Sequence, residues 1–193
     1  MLNLIDYITV KKHHLINLFL SGLITTQIVA IPHVVNASSL DFNNSEILLS
    51  QNTNVLTKEQ ITEIMQTIEQ AEKEENLTSL LNFLAPYILS NISIESDNKT
   101  VITSLQGKKE HEYYLNNSFQ NVKEREYIDS YSTIRVTEDG QMALVTRIRA
   151  TSLLSETGEK YLSMSTDKIR FALVDNQPKI INIDVKGWLE QVP

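Results

Sequence analysis

Two arginines, Arg147 and Arg149, stand two residues apart in "MALVTRIRATS", a run whose period of two reads as a β-strand. Alternate side chains of a strand share a face, so both guanidiniums point the same way. Each offers a planar fork of N–H donors suited to a carboxylate or a phosphate. Upstream, "REYIDSYSTIRV" carries Tyr127, Asp129 and Tyr131 at the same spacing, and downstream "YLSMSTDKIRF" carries Ser165 and Asp167. Such a group can grip an anion, and a buried Asp beside a Tyr can move a proton. The same residues can also pair among themselves on a solvated sheet face or a subunit surface, each exposed pair contributing about 0.2–1 kcal/mol.

Strand register decides which residues meet. A two-residue Asp139-Gly140 loop would set Ser132 opposite Arg147 and Ser130 opposite Arg149. A three-residue Glu138-Asp139-Gly140 loop, with the glycine left-handed, pairs Tyr131 with Arg147 and Asp129 with Arg149. The second register is expected, because it matches charge with charge and collects Val136/Met142, Ile134/Leu144 and Ile128/Ala150 on the opposite face. A similar loop at Glu156-Thr157-Gly158 sets Arg147 beside Asp167 and Arg149 beside Ser165. The candidate ligand-binding patch is therefore Tyr127, Asp129, Tyr131, Arg147, Arg149, Ser165 and Asp167. Val145, Ile169, Phe171 and Leu173 continue the same face, making it polar at one end and apolar at the other.

Other chemistry-bearing residues read more plainly. Tyr113, Tyr114 and Phe119 are expected to pack a helix on the sheet, and Trp188 to close one end of the core. Glu72, Glu74 and Glu75 read as a solvated helix end. The histidines are His13, His14, His33 and His111; once the first three leave with a leader, His111 stands alone. That is too few ligands for a zinc site, and no nucleophile-elbow motif accompanies it for a Ser-His-Asp triad. No metal and no cofactor is expected. The absence of cysteine excludes disulfides, thiolate sites and a lipoprotein anchor. The net charge is −7, and the basic clusters are only Lys11-Lys12 and Lys108-Lys109, which excludes a nucleic-acid footprint.

The elements that must position the patch follow from periodicity. Residues 1–37 show a basic start at Lys11-Lys12, an apolar stretch from Leu15 to about Val35, and Val35-Asn36-Ala37 as a cleavage site. This is the grammar of a secretory signal peptide, with an uncleaved anchor as the alternative. The chain is expected outside the cytoplasm, periplasmic or secreted, with no stable membrane span after cleavage. Its net charge then moves to about −8, since Lys11, Lys12 and Asp6 are lost. Residues 38–56 are Ser/Asn-rich and read as a tether; 57–193 form the domain. Thr57 with Gln60 opens a helix as a capping box, and Ile61, Ile64, Met65, Ile68 and Ala71 form one stripe. A second helix, "NLTSLLNFLAPYI", stops at Pro86. Two extended segments, "ILSNISIES" and "KTVITSL", precede a helix opened by Gly107. Four strands follow, at about 122–137, 141–154, 160–174 and 179–186. The order α-α-β-β-α-β-β-β-β predicts an α+β fold, helices packed on one face of an antiparallel sheet.

That order resembles the NTF2-like (cystatin-like cone) superfamily, most of all its SnoaL-like and DUF4440-like group. The resemblance rests on the stripe Ile61–Ile68 followed by "NLTSLLNFLAPYI", the Gly107-initiated helix, "IRVTEDGQMALVTRIRAT" and "STDKIRFALVDNQPKIINIDVKGW", and spans about residues 57–188. It implies a curved sheet enclosing a cone-shaped cavity, and often a homodimer through the sheet. The cystatin inhibitor branch is disfavoured, because its glutamine-valine-glycine loop is absent. The fold hosts enzymes and binding proteins alike, so it does not by itself assign an activity. Three functions follow as expectations: a non-catalytic module binding a small apolar or anionic molecule or a protein, a metal-independent lyase or isomerase using an Asp/Tyr pair, or a structural dimerisation domain.

Overall fold

A computed structural model describes residues 55–96 and 99–193. The expected signal peptide and residues 38–54 of the expected tether lie outside the described residues. The first helix, α1, is Lys58–Lys73, α2 is Leu77–Phe83 and α3 is Gly107–Gln120. The strands are β1 Leu84–Ser96, β2 Lys99–Gln106, β3 Val122–Val136, β4 Met142–Ser155, β5 Lys160–Val174 and β6 Gln177–Val192. The element order is the one the periodicity predicts. The six strands form one sheet in the order β2-β1-β6-β5-β4-β3, antiparallel except for the β1–β6 pair.

Thr57 caps α1 by accepting a hydrogen bond from the Gln60 N–H, as the capping signal implies. Ile61, Ile64, Met65, Ile68 and Ala71 are all buried, and their stripe joins Val145, Ile169, Phe171 and Ile180 of the sheet in one core. Burying each large aliphatic side chain contributes about 1.5–3 kcal/mol, which is what holds α1 on the sheet. A smaller cluster of Leu153, Tyr161 and Leu189, with Ile94 and Val122 against it, lies further along the strands.

Helix α2 ends at Phe83, not at Pro86. Proline forces Ala85 toward extended backbone, so the helix has to stop earlier. Leu84 is already extended, and Pro86 sits inside β1 where the pairing with β6 breaks between Leu84 and Leu89. The last strand runs to Val192, six residues past its expected end, because it stays paired with β5 as far as Lys160.

The β3–β4 hairpin departs from the preferred register. Ser132 pairs with Arg147 and Ser130 with Arg149, the arrangement of the two-residue loop. The connection itself is wider: Thr137 N–H bonds the Met142 carbonyl, leaving residues 138–141 in the loop. The Asp139 carboxylate accepts from the Thr137 hydroxyl at 2.6 Å and the Gln141 N–H at 3.0 Å, which holds the extra residue in place. Ile134 and Val136 thereby oppose Val145 and Ala143 on the core face rather than facing away. Gly140 has φ +65°, and a Cβ there would lie 2.6 Å from that of Val55, whose neighbour Leu56 is buried and donates its N–H to the Gly140 carbonyl. The last two residues of the expected tether are thus docked on the turn. The second hairpin has its expected three-residue loop, with Gly158 at φ +84°.

Candidate functional site

Along β4, residues Ala143, Val145, Arg147, Arg149, Thr151 and Leu153 share the concave face under the helices. The β4–β5 register places Arg147 opposite Asp167 and Arg149 opposite Ser165, as the turn chemistry predicts. The preferred pairs Tyr131–Arg147 and Asp129–Arg149 do not form. Asp129 pairs with Ala150 and lies outside the main cavity, though it borders a second pocket with Tyr127, Arg147 and Arg149; Tyr131 projects from the other face and is 65% exposed. Tyr127 is nevertheless inside, opposite Thr151, because a bulge between Tyr127 and Asp129 turns Ile128 out and re-phases the strand. The concave face is apolar, polar, then apolar again, not polar at one end, since the arginines lie between the two hydrophobic clusters.

The arginines are occupied. Arg147 donates Nη1 and Nη2 to Glu72 Oε2 and Oε1 at 3.0 and 3.1 Å, a two-pronged bond. Its Nε reaches Asp167 Oδ2 at 3.0 Å, and Arg149 Nη1 reaches Glu72 Oε2 at 2.8 Å. Arg149 also stacks over the Tyr127 ring, 5.3 Å from its centroid. Glu72 is therefore not part of a solvated helix end. It follows Ile68 by four residues and lies on the same helical stripe, a signal the sequence carried in its spacing. Burial works to raise the Glu72 pKa, but Arg147 and Arg149 outweigh it and hold the carboxyl below its ordinary range. Burial likewise opposes the charge of Arg147, and Glu72 and Asp167 more than restore it.

Glu72, Arg147, Arg149 and Asp167 form one wall of a cavity of about 250 Å³ between the helices and the sheet. The rest of the wall is largely aliphatic, with Ile92, Leu105, Leu115 and Ile183 among its members. Arg125 also lines it, bonding the Ser118 carbonyl and hydroxyl and lying 5.4 Å from the Phe119 ring centroid. Asp167 Oδ1 is buried and has no hydrogen-bond partner among the described residues. Tyr114 faces the same space, its phenol pushed up by burial and by Asp167 against the pull of Arg125. Tyr113 is 53% exposed, whereas Phe119 packs on the core as expected. Among the described residues no group of three His, Asp or Glu side chains could hold a metal ion. Sequence reasoning missed Glu72, Tyr114, Arg125 and the pair Ser90–His111, which meet in the cavity wall from two helices and two strands far apart in the chain.

No family model and no curated protein matches the chain. Solved structures do. An NTF2-like protein of unknown function from Pseudomonas putida KT2440 shares 11% identity over 67% of this chain and 84% of its own, at TM-score 0.54. A type 2 hexachlorocyclohexane dehydrochlorinase (LinA) shares 9% over 69% and 86%, at 0.54. The CaMKII hub of S. rosetta shares 13% over 66% and 93%, at 0.50. At such identities the likeness is one of fold.

Proposed function

We propose that this chain, whose fold is the NTF2-like α+β cone, is an exported, non-catalytic module that binds a small, largely apolar molecule in the cone. The observation that carries the reading is the cavity of about 250 Å³, room for a compact ligand, with twelve aliphatic side chains in its wall around the buried ion group. Export is supported by the basic start, apolar stretch and Val35-Asn36-Ala37 of the leader. An anion clamp is less well supported, because Arg147 and Arg149 already face Glu72 and Asp167 as two cations against two anions. The lyase or isomerase alternative loses half its machinery: Asp129 and Tyr131 lie outside the cone, and Asp167 has one oxygen held by Arg147. A panel of compact apolar metabolites should raise the melting temperature of the chain, with Leu105→Trp, which fills the cavity, abolishing the rise. No shift across the panel, or a shift that survives Leu105→Trp, would sink the reading.

A homodimer through the outer sheet face goes with it. Tyr131 and Ile148 form an exposed cross-strand pair there, and Met164 and Trp188 form another, so the face presents exposed apolar area. Trp188, 38% exposed, belongs to this face and does not close the core. The Arg/Asp group, being inside the cone, cannot be the dimer surface. Sedimentation should give twice the mass of one chain, reverting to one in Ile148→Glu; a monomer at micromolar concentration would remove the proposal.

A further inference from the structure

In the cavity wall the hydroxyl of Ser90 lies 2.6 Å from Nε2 of His111. Both residues line the cavity and both are buried, at 3% and 4% exposure. Three features of the chain bring them together. The irregular pairing of β1 after Leu84 turns Ser90 toward the helices. Gly107, at φ +72°, swings the chain from β2 straight into α3, where His111 sits one turn along. The His111 ring then reaches back, Nδ1 lying 2.7 Å from the Gly107 carbonyl. A carbonyl can only accept, so Nδ1 carries the proton, and in the neutral ring Nε2 is left to accept from the Ser90 hydroxyl. Burial holds the ring below its ordinary value of 6.5, against the Gly107 bond and Glu110, which favour the charged form. A hydroxyl bonded to a neutral imidazole, itself oriented by a third group, is the arrangement that activates a serine. Packing against Ile92 and Leu105 alone would call for neither an imidazole nor a hydroxyl.

We propose that Ser90 is a nucleophile activated by His111, and that it accepts the acyl group of a small apolar ester held in the cavity. Ser90 Oγ attacks the ester carbonyl carbon while its proton passes to His111 Nε2. The bond from that carbon to the alkoxy oxygen breaks, and the proton moves from Nε2 to the departing alkoxide, which leaves as an alcohol. The product is an ester on Ser90, with no oxidant or reductant required. This goes beyond reversible binding, since it makes the cone a site of covalent capture.

The test uses an alkyl fluorophosphonate on the full chain: attack by Ser90 forms the P–O bond, fluoride leaves, and the proton goes through His111 to water. Intact mass should show one adduct, mapped to the peptide holding Ser90. Ser90→Ala should abolish it, and His111→Gln should slow it by about 100-fold or more, in line with the loss of a positioned base. In the unaltered chain the rate should fall on acidification with an inflection below pH 6.5. The other ionisable groups of the wall are the carboxylates of Glu72 and Asp167, the phenols of Tyr114 and Tyr127, and arginines; only imidazole has its ordinary value in that window. That profile needs no variant to fold. An absent adduct, an adduct that persists in Ser90→Ala, or a rate that does not fall on acidification below pH 6.5 would overturn the proposal. Labelling and ligand-induced melting shifts are separate readouts, so failure of one leaves the other standing.

Discussion

Arg147→Met is expected to destabilise the fold by about 3–5 kcal/mol at neutral pH, the usual cost of removing one partner from a buried ion network. Arg147 is 4% exposed and bridges Glu72 on α1 to Asp167 on β5. Without it the half-buried Glu72 and the buried Asp167 carboxylates face each other, with Arg149 as the nearest remaining cation, its nitrogens 2.8 Å from Glu72 and 3.7 Å from Asp167. The pH dependence separates this from loss of packing. In the parent chain the folded pKa of Glu72 lies below its ordinary 4.5. The unfolded chain therefore binds that proton more readily, and the contribution of Glu72 is complete above 4.5 and is lost as pH falls through the depressed value. In Arg147→Met the burial that raises the Glu72 pKa loses its main opponent, so the stability gap between variant and parent should narrow toward pH 4. Urea unfolding at pH 7 and pH 4 reads both. A gap that is the same at the two pH values would show that the methionine fails for reasons of shape, not charge.

Phe171→Ala is expected to cost about 3–5 kcal/mol, the range for emptying a fully buried aromatic site. Phe171 has no exposed surface and sits opposite Ala143 on β4 and Ile180 on β6, in the core that α1 covers. A domain of this size has about 5–15 kcal/mol in total, so the loss takes a large share of it. The urea midpoint should drop with the slope unchanged, because as much surface unfolds as before. A loss under about 1 kcal/mol would mean that the cone collapses around the gap, and that its walls are softer than this packing implies.

Much of this molecule was legible in local pattern. The stripe Ile61–Ala71, the capping box at Thr57 and the period-two runs from Val122 onward located the helices and strands, with β6 running six residues past its expected end. The Glu156-Thr157-Gly158 loop placed Arg147 against Asp167, because a three-residue turn with a left-handed glycine admits one register. The β3–β4 hairpin was less tractable. Side-chain bonds from Asp139 widened its turn, and a bulge at Ile128 shifted the phase again, so Tyr127 was placed inside and Asp129 and Tyr131 were not. Glu72 was misread for a different reason: the charge of Glu74 and Glu75 beside it masked its position on the apolar stripe.

By itself the sequence determined the element order, the α+β class and the register of the β4–β5 pair, since helical and strand periods and turn chemistry are local properties of the chain. Only the tertiary structure decided what the two arginines are for. Their partner Glu72 lies 75 residues away, and Ser90 meets His111 only because β1 and α3 fold onto the same cavity. Pairings of that kind depend on how the sheet curls and where a helix crosses it, which no single stretch of residues encodes.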